Sequence, residues 1–537
     1  MTATAAAALL ATLARHRVDR VFCVPGESYL AVLDALHDRP DIEVITCRHE
    51  SGAGFMAVAD AKITGRPGIA FVSRGPGASN AAIAVHTAGQ DAVPLLLFVG
   101  QVERKHRGRG ALQEVDYVKT FADMAKWVVE VDDPDSLPET VARAYMTACT
   151  GTPGAVVVSL PEDMLRAPTA AGAAAPAPLP ALHPGADEVS AVARLLAEAE
   201  RPLLIAGGGA RSPAARLALA ECSRVWRLPV ATSFKHQDLF DNDDPHFAGH
   251  LGYGAPAALV EALSAADLVL AVGTRLGDVT TQNYTLMHTP RPHQPLVHVY
   301  PDRARIGRVF EASLAVVADA EPFLTALAAR NPPPYPPGRS EWCRRLHAVH
   351  AGLARWEPEA AADGVDFGHV VQALAETLGD DAVLTTDAGN FSSWAHRYFP
   401  FRATQILLGA VSGAMGMGVP AAVAAALRMP DRQVVALVGD GGFLMTGNEL
   451  ATAVHHGAAV RLFVANNRSY ATIRLHQEKA YPGRPFATDL TNPDFAALAR
   501  SFGATGLSIS EPEEAGAVVR RALATAGPVV VDVRSSL

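Results

Sequence analysis

Aromatic side chains are scarce in this 537-residue chain, at 6%, and charged residues make up only 19%. No apolar run approaches the ~20 residues a membrane-spanning helix needs. A basic excess is also missing. The 46 Lys plus Arg stand against 55 Asp plus Glu, a formal charge of −9, which argues against a general phosphate-backbone binder, since that needs clustered positive charge. Cysteine is rare: Cys23, Cys47, Cys149, Cys222 and Cys343 are odd in number, scattered, and form no C-x-x-C pair. Neither a disulfide framework nor a zinc site is expected, and a reducing, cytoplasmic setting fits. The Ala-rich opening lacks a basic first region and runs from Ala5–Leu13 into Arg15-His16-Arg17. That charge order is the reverse of a signal peptide, so the segment reads as the first helix of a domain.

Apolar residues are plentiful, at 49%, and mostly small Ala and Val, so the chain can bury sizeable cores. Two stretches read as linkers. Residues 166–188 are largely Ala, Pro and small polar residues, and Asn331–Ser340 reads NPPPYPPGRS, a proline density that denies helix and interior strand. The expected division is 1–165, a linker at 166–188, 189–330, a linker at 331–345, and 346–537. Each block carries short, continuously apolar runs such as Leu95–Gly100, Leu268–Gly273 and Val434–Asp440. Runs of this kind mark strands buried on both faces. The fold class expected is α/β, three consecutive domains with mainly parallel sheets.

Several runs end in small or polar residues, where α/β sheets bind ligands. The sharpest signal is Gly439-Asp440-Gly441, followed after 24 residues by Asn466-Asn467, each at the end of a predicted strand. Two neighbouring strands would then present a carboxylate and an amide oxygen side by side. Hard oxygen donors of that kind suit Mg²⁺, whose remaining ligands are phosphate oxygens and water. The flanking glycines let a diphosphate approach closely. None of the 19 histidines forms a pair with metal-ligand spacing and a third donor, so no transition-metal site is expected.

With VPGESYLAVLDAL, RHESGAGFMA, SRGPGASNA, TTDAGNFSSW, GAMGMGVPAA, GDGGFLMTGNELATAV and NNRSYATIR in this order, the chain resembles the thiamine diphosphate (ThDP)-dependent enzymes of the acetolactate synthase-like family. The resemblance spans nearly the full length, in pyrimidine-binding, middle and diphosphate-binding order. It implies Asp440 and Asn467 as Mg²⁺ ligands, with a backbone carbonyl near Ser469 as a third. It places Gly389, Asn390, Gly439, Gly441 and Gly442 at the diphosphate, and adds Gly26, Asn80 and Tyr470 to the cofactor contacts. Gly413 and Met415 would border the aminopyrimidine, Met415 as the apolar wedge that bends the cofactor. Glu50 would hydrogen-bond the pyrimidine ring nitrogen, so that the cofactor's own amino group can remove its C2 proton. The cofactor is then the electron sink, and the protein binds, bends and desolvates it. The implied activity is decarboxylation of a pyruvate-like 2-oxo acid and transfer of the acyl carbanion to a carbonyl acceptor. The family's sites lie between subunits, so a homodimer is the minimum and a homotetramer is expected. No membrane or nucleic-acid partner is implied.

Some positions depart from the acetolactate synthase pattern. Gln113 falls where that pattern has Phe-Gln-Glu, but Leu112 replaces the Phe. Glu27-Ser28 follows the first Pro-Gly in place of glycine, and a carboxylate there is similar to the acidic residue of simple 2-oxo acid decarboxylases. Glu27 and Gln113 are therefore candidates at the reacting carbon, with His86, Gln113 and His476 as candidate substrate contacts. An aldehyde-releasing decarboxylase is the alternative reading, and a catalytically silent homologue the second. In the middle block the flavin-binding stretch is broken to Thr274-Arg275-Leu276-Gly277-Asp278, so FAD is expected to be absent or optional. Gly207-Gly208-Gly209 lacks G-x-G-x-x-G spacing and reads as a packing turn.

Overall fold

The short apolar runs do form buried strands, and the way each domain winds its strands decides where a ligand can sit. The computed structural model describes residues 3–358, 361, 363–402 and 404–537. Its N-terminal sheet has six parallel strands, in the spatial order Glu43–Thr46, Arg20–Cys23, Gly68–Val72, Leu95–Gln101, Ala155–Pro161, Trp127–Glu130. The C-terminal sheet runs Ile406–Gly409, Val383–Thr386, Val434–Gly439, Val460–Ala465, Val529–Val533, Thr505–Ile509, again all parallel. Numbered along each domain, both sheets follow the order 2-1-3-4-6-5. The middle sheet differs. It runs Phe247–His250, Val230–Thr232, Pro202–Ala206, Leu268–Val272, Leu296–Val299, Leu314–Val316, the order 3-2-1-4-5-6.

Crossovers between parallel strands are right-handed, so a sheet wound in both directions opens a crevice where the order reverses. In the outer domains that crevice lies beyond the first and third strands. These end at Cys23 and Val72 in the N-terminal domain, and at Thr386 and Gly439 in the C-terminal domain. The middle domain has its crevice beyond Ala206 and Val272.

The two outer domains share one hydrophobic core. Helices Glu50–Thr64 and Gly418–Arg428 pack together across it. Ala57, Ala61, Ala421, Ala424 and Ala425 are all at most 2% exposed, and their small side chains let the helices approach closely. Arg428 closes the rim through Asp60 at 2.7 Å and Asp19 at 3.0 Å.

Both expected linkers need correction: within 166–188, strand Pro168–Thr169 pairs with Ala3–Thr4 and helix Ala186–Glu198 begins at the far end. Helix Arg339–Ala354 begins inside the 331–345 linker, because the prolines stop at Pro337 and nothing after it opposes a helix. Arg339 is 1% exposed, and Trp342 donates its indole N–H to the Pro202 carbonyl at 2.9 Å. The helix thus packs on the middle domain. None of the described helices is long and apolar enough to cross a membrane.

Candidate active site

Strand Val434–Gly439 delivers Asp440 to the first turn of helix Asp440–Thr446, and its neighbour Val460–Ala465 ends just before Asn466 and Asn467. Gly439 and Ala465 are register partners, so Asp440 and Asn467 emerge from adjacent strand ends. Asp440 is 3% exposed. Its oxygens accept the Gly441 N–H and the Asn492 side-chain N–H, each at 2.8 Å. Asn467 Oδ1 accepts the Ser469 N–H at 3.1 Å. Burial pushes the Asp440 carboxyl up, and the hydrogen bonds pull it back toward the ionised form. No cationic side chain among the described residues pairs with it. A buried carboxylate with donors but no counter-charge is costly, and a cation bound beside it would relieve that cost. This oxygen-rich set fits Mg²⁺. No cluster of three or more His, Cys, Asp or Glu suited to a metal occurs among the described residues.

The glycines around it form a cradle that a side chain would fill. A Cβ on Gly439 or Gly389 would meet the Phe391 ring at 2.8 and 2.4 Å, one on Gly441 the Tyr470 ring at 2.5 Å, and one on Gly442 the Asp387 carboxylate at 2.6 Å. Close packing of these rings and this carboxylate therefore requires glycine at each position. Asn390 stands at the same edge, its N–H donating to Thr472 Oγ1 at 2.8 Å. Gly413, at φ +72°, and Met415 lie on the loop between strand Ile406–Gly409 and helix Gly418–Arg428, Gly413 exposed and Met415 half-buried. His476 is exposed on helix Ala471–Ala480.

A second group gathers at the crevice of the N-terminal sheet. Glu50 opens helix Glu50–Thr64, and its Oε2 accepts the Asn80 side-chain N–H at 2.9 Å. Gly26 touches the other loop of the crevice, since a Cβ there would come within 2.6 Å of Ser73. Glu27 is exposed and pairs with Arg74 at 3.2 Å. Gln113, at φ +64°, accepts the Gly75 N–H on its carbonyl at 3.1 Å, which folds its loop over the start of helix Gly75–Asp91. His86 lies eleven residues along that helix, about 16 Å from its start at 1.5 Å per residue, and away from the Glu50–Asn80 edge. Among the described residues, no hydrogen bond or ion pair joins the Glu50 group to the Asp440 group.

Two buried acids support these groups and escaped the sequence reading. Glu449 is 0% exposed and accepts the N–H groups of Arg48 at 3.1 Å and His49 at 2.9 Å, just before Glu50. Gly52 is required beside it, because a Cβ there would lie 2.2 Å from the Glu449 carboxylate. Burial pushes the Glu449 carboxyl up. The available signal was a lone acid within GNELATAV. Asp387, at the end of its strand in TTDAGN, accepts the Gly416 N–H at 2.8 Å and the Ala388 N–H at 2.7 Å. Burial raises its carboxyl to about 6, while the nearby Lys235 is lowered to about 8 by its own burial.

The middle domain has a cavity of about 710 Å³ at its crevice, bordered by Gly208, Gly209, Arg275, Arg305 and Arg308. Gly207 and Gly209 press against Gly273 and Thr274, with Cβ approaches of 2.5 to 2.8 Å, so the triple glycine is a packing turn that also rims this cavity. Arg275, the arginine retained from the flavin stretch, donates to the Gly89 and Gln90 carbonyls of the N-terminal domain.

Comparison with known proteins gives matches to three family models. They are the thiamine pyrophosphate enzyme N-terminal TPP binding domain at residues 3–120, the central domain at 189–327, and the C-terminal TPP binding domain at 387–533. The chain is 34% identical to the acetolactate synthase large subunit of Parasynechococcus marenigrum, over 99% of this chain and 87% of that protein. It is 31% identical to the acetolactate synthase isozyme 2 large subunit of Escherichia coli, over 96% of this chain and 92% of that one. A putative thiamine pyrophosphate-containing protein of Bacillus subtilis is 30% identical, over 99% and 91%.

Proposed function

The chain belongs to the thiamine pyrophosphate enzymes, in the acetolactate synthase-like family, and from that premise we propose that it decarboxylates a pyruvate-like 2-oxo acid and passes the acyl unit to a carbonyl acceptor. The observation that carries this reading is Asp440, a buried carboxylate beside Asn467 with no cationic partner among the described residues. Asp440, Asn467 and the main chain near Ser469 would hold Mg²⁺, and the cradle of Gly389, Asn390, Gly439, Gly441 and Gly442 would receive the diphosphate. Once bound, ThDP supplies the electron sink for decarboxylation.

The protein's part is positional. Gly413 and Met415 line the aminopyrimidine end, and Gly26, Asn80 and Tyr470 complete the cofactor's surroundings. Glu50 serves as the proton-holding carboxylate at the pyrimidine, oriented from one side by Asn80 and from behind by Glu449. Gln113 and His476 remain candidate substrate contacts. His86 would reach substrate only by way of another subunit.

We assign Glu50 of one chain and Asp440 of another to each site, which makes a homodimer the minimum and allows a homotetramer. Support comes from apolar side chains left exposed near the cradle: Leu444 at 49%, Met445 at 47%, Ile473 at 53% and Leu475 at 55%. A patch of that kind suits a second copy. FAD is absent or optional in this reading, because Arg275 is already committed to main-chain carbonyls and Leu276-Gly277 interrupts the acidic pair. A cytoplasmic setting suits the five free cysteines.

Glu27 keeps one alternative open, a decarboxylase that protonates the acyl unit and releases an aldehyde. Incubation with ThDP, Mg²⁺ and a panel of 2-oxo acids, scoring CO₂ and carbon products, tests both. Coupled hydroxyketone formation is the expected result. Aldehyde without coupling would overturn the transfer reading, and no CO₂ from any 2-oxo acid would overturn the function.

A further inference from the structure

The loop carrying Gly413 and Met415 is held at both ends by buried carboxylates, one of them from a different domain. Asp91, the last residue of helix Gly75–Asp91 in the N-terminal domain, accepts the Val411 N–H at 3.0 Å and the Ser412 N–H at 2.9 Å, one on each oxygen. Lys62 Nζ reaches the same carboxylate at 2.5 Å and the Gly409 carbonyl at 2.6 Å. Their side chains are 0% and 3% exposed. At the other end Asp387 accepts the Gly416 N–H at 2.8 Å, and Thr446 donates its hydroxyl to the Gly416 carbonyl at 2.6 Å. Between these anchors lie Gly413, which is exposed, and Ala414 and Met415, which are half-buried.

A buried ion pair is a poor way to join two domains, since apolar side chains of the same volume generally seal such a junction as well or better. Apolar side chains cannot, however, bind two successive main-chain N–H groups and the carbonyl two residues before them. The Lys62–Asp91 pair does all three. Its consequence is therefore geometric: it fixes the backbone of residues 409–412, the start of the loop that carries Gly413 and Met415.

We infer that Lys62 and Asp91 are positioning residues for the cofactor, through which the N-terminal domain sets the aminopyrimidine loop of its own chain. This rests on the reading of Gly413 and Met415 as aminopyrimidine contacts. Each N-terminal domain then has two roles. Glu50 acts at the site completed by another chain, and Asp91 shapes the loop at the site of its own.

The test uses the full chain and three variants, Lys62→Met, Asp91→Asn and the double variant Lys62→Met/Asp91→Leu, titrated with ThDP in Mg²⁺. The readouts are apo Tm, ThDP affinity and the near-ultraviolet circular dichroism band of the bound aminopyrimidine. The double variant removes both charges together but leaves the Val411 and Ser412 N–H groups without their acceptor, so its Tm is expected to fall while the protein still folds. Its ThDP affinity is expected to fall by about tenfold or more, a loss typical of charge-assisted bonds, and its dichroic band to be altered even at saturation. Wild-type affinity and band in a folded double variant would overturn the inference and leave the functional reading standing. A wild-type protein that takes up no ThDP with Mg²⁺ would overturn both. Hydrogen exchange of the wild-type protein needs no variant: the Val411 and Ser412 amides are expected to exchange slowly, and rapid exchange would overturn the clamp.

Discussion

Glu449 of the C-terminal domain accepts the main-chain N–H of His49 at 2.9 Å, one residue before Glu50. The same carboxylate takes the Arg48 N–H and the Thr452 hydroxyl, the latter at 2.6 Å. It therefore fixes the backbone from which Glu50 projects. Glu449→Ala leaves the part-buried N–H groups of Arg48 and His49 without an acceptor, at up to about 1–3 kcal/mol each. A lower Tm and loss of most activity are expected. Glu449→Gln keeps one acceptor oxygen and should fall between the alanine variant and wild type. Thermal melts and turnover on one 2-oxo acid check the ranking, and equal activity of all three proteins would remove Glu449 from the account.

Asp440 makes the opposite prediction for stability. Its charge is buried and no cationic side chain among the described residues offsets it, so Asp440→Asn should leave the apo protein as stable as wild type or more so. The same change should abolish the rise in Tm that ThDP with Mg²⁺ gives to wild type, since ligand stabilisation follows affinity. Differential scanning fluorimetry with and without both ligands reads the two effects together. Preserved ligand stabilisation in Asp440→Asn would place the metal elsewhere.

Asp387 carries a pH dependence. Its folded carboxyl is raised from 3.8 to about 6 by burial, with Lys235 and the N–H groups of Ala388 and Gly416 acting against that rise. In the window between those values the folded protein keeps a proton that the unfolded chain has released. Stability must therefore fall as pH rises through it, and the contribution is fully present only below the lower value. Asp387→Asn removes the titration. From about pH 4 to pH 7 the wild-type Tm is expected to decline relative to that of the variant. Parallel Tm profiles would contradict the shift.

Mixing separately inactive variants tests the shared site. Glu50→Gln and Asp440→Ala proteins, dissociated and reassembled together, form mixed dimers in which one site has both residues intact. Activity should return to about a quarter of wild type for random pairing in a two-fold dimer. No recovery, with mixed dimers shown to form, would place both residues in one chain's site.

Much of this was legible in the sequence because central strands and strand ends carry their own marks. Leu95–Gln101 and Val434–Gly439 are buried throughout, so their sequences are continuous apolar runs. Edge strands have less of their surface covered and lose that mark. Trp127–Glu130 is half-buried along its length, Leu314–Val316 has only three residues, and Thr505–Ile509 includes an exposed Ser508. Phe247–His250 is buried throughout, but Gly249 and His250 interrupt its apolar run. Asp440 and Asn467 could be read because glycine and a second asparagine flank them at strand ends. Asp91, Lys62 and Asn492 could not. Their partners lie 320, 347 and 52 residues away in the chain, and no local pattern reports a contact made only when domains or loops meet.

The central claim is that Glu50 activates a diphosphate cofactor held by Asp440 and Asn467. It is tested most directly by the rate at which the C2 proton of bound ThDP exchanges in deuterium oxide, followed by NMR. Wild-type protein with Mg²⁺ should exchange it rapidly, and Glu50→Gln should still bind ThDP yet exchange slower by orders of magnitude. Equal exchange rates in the two proteins, with the cofactor bound in both, would contradict the account.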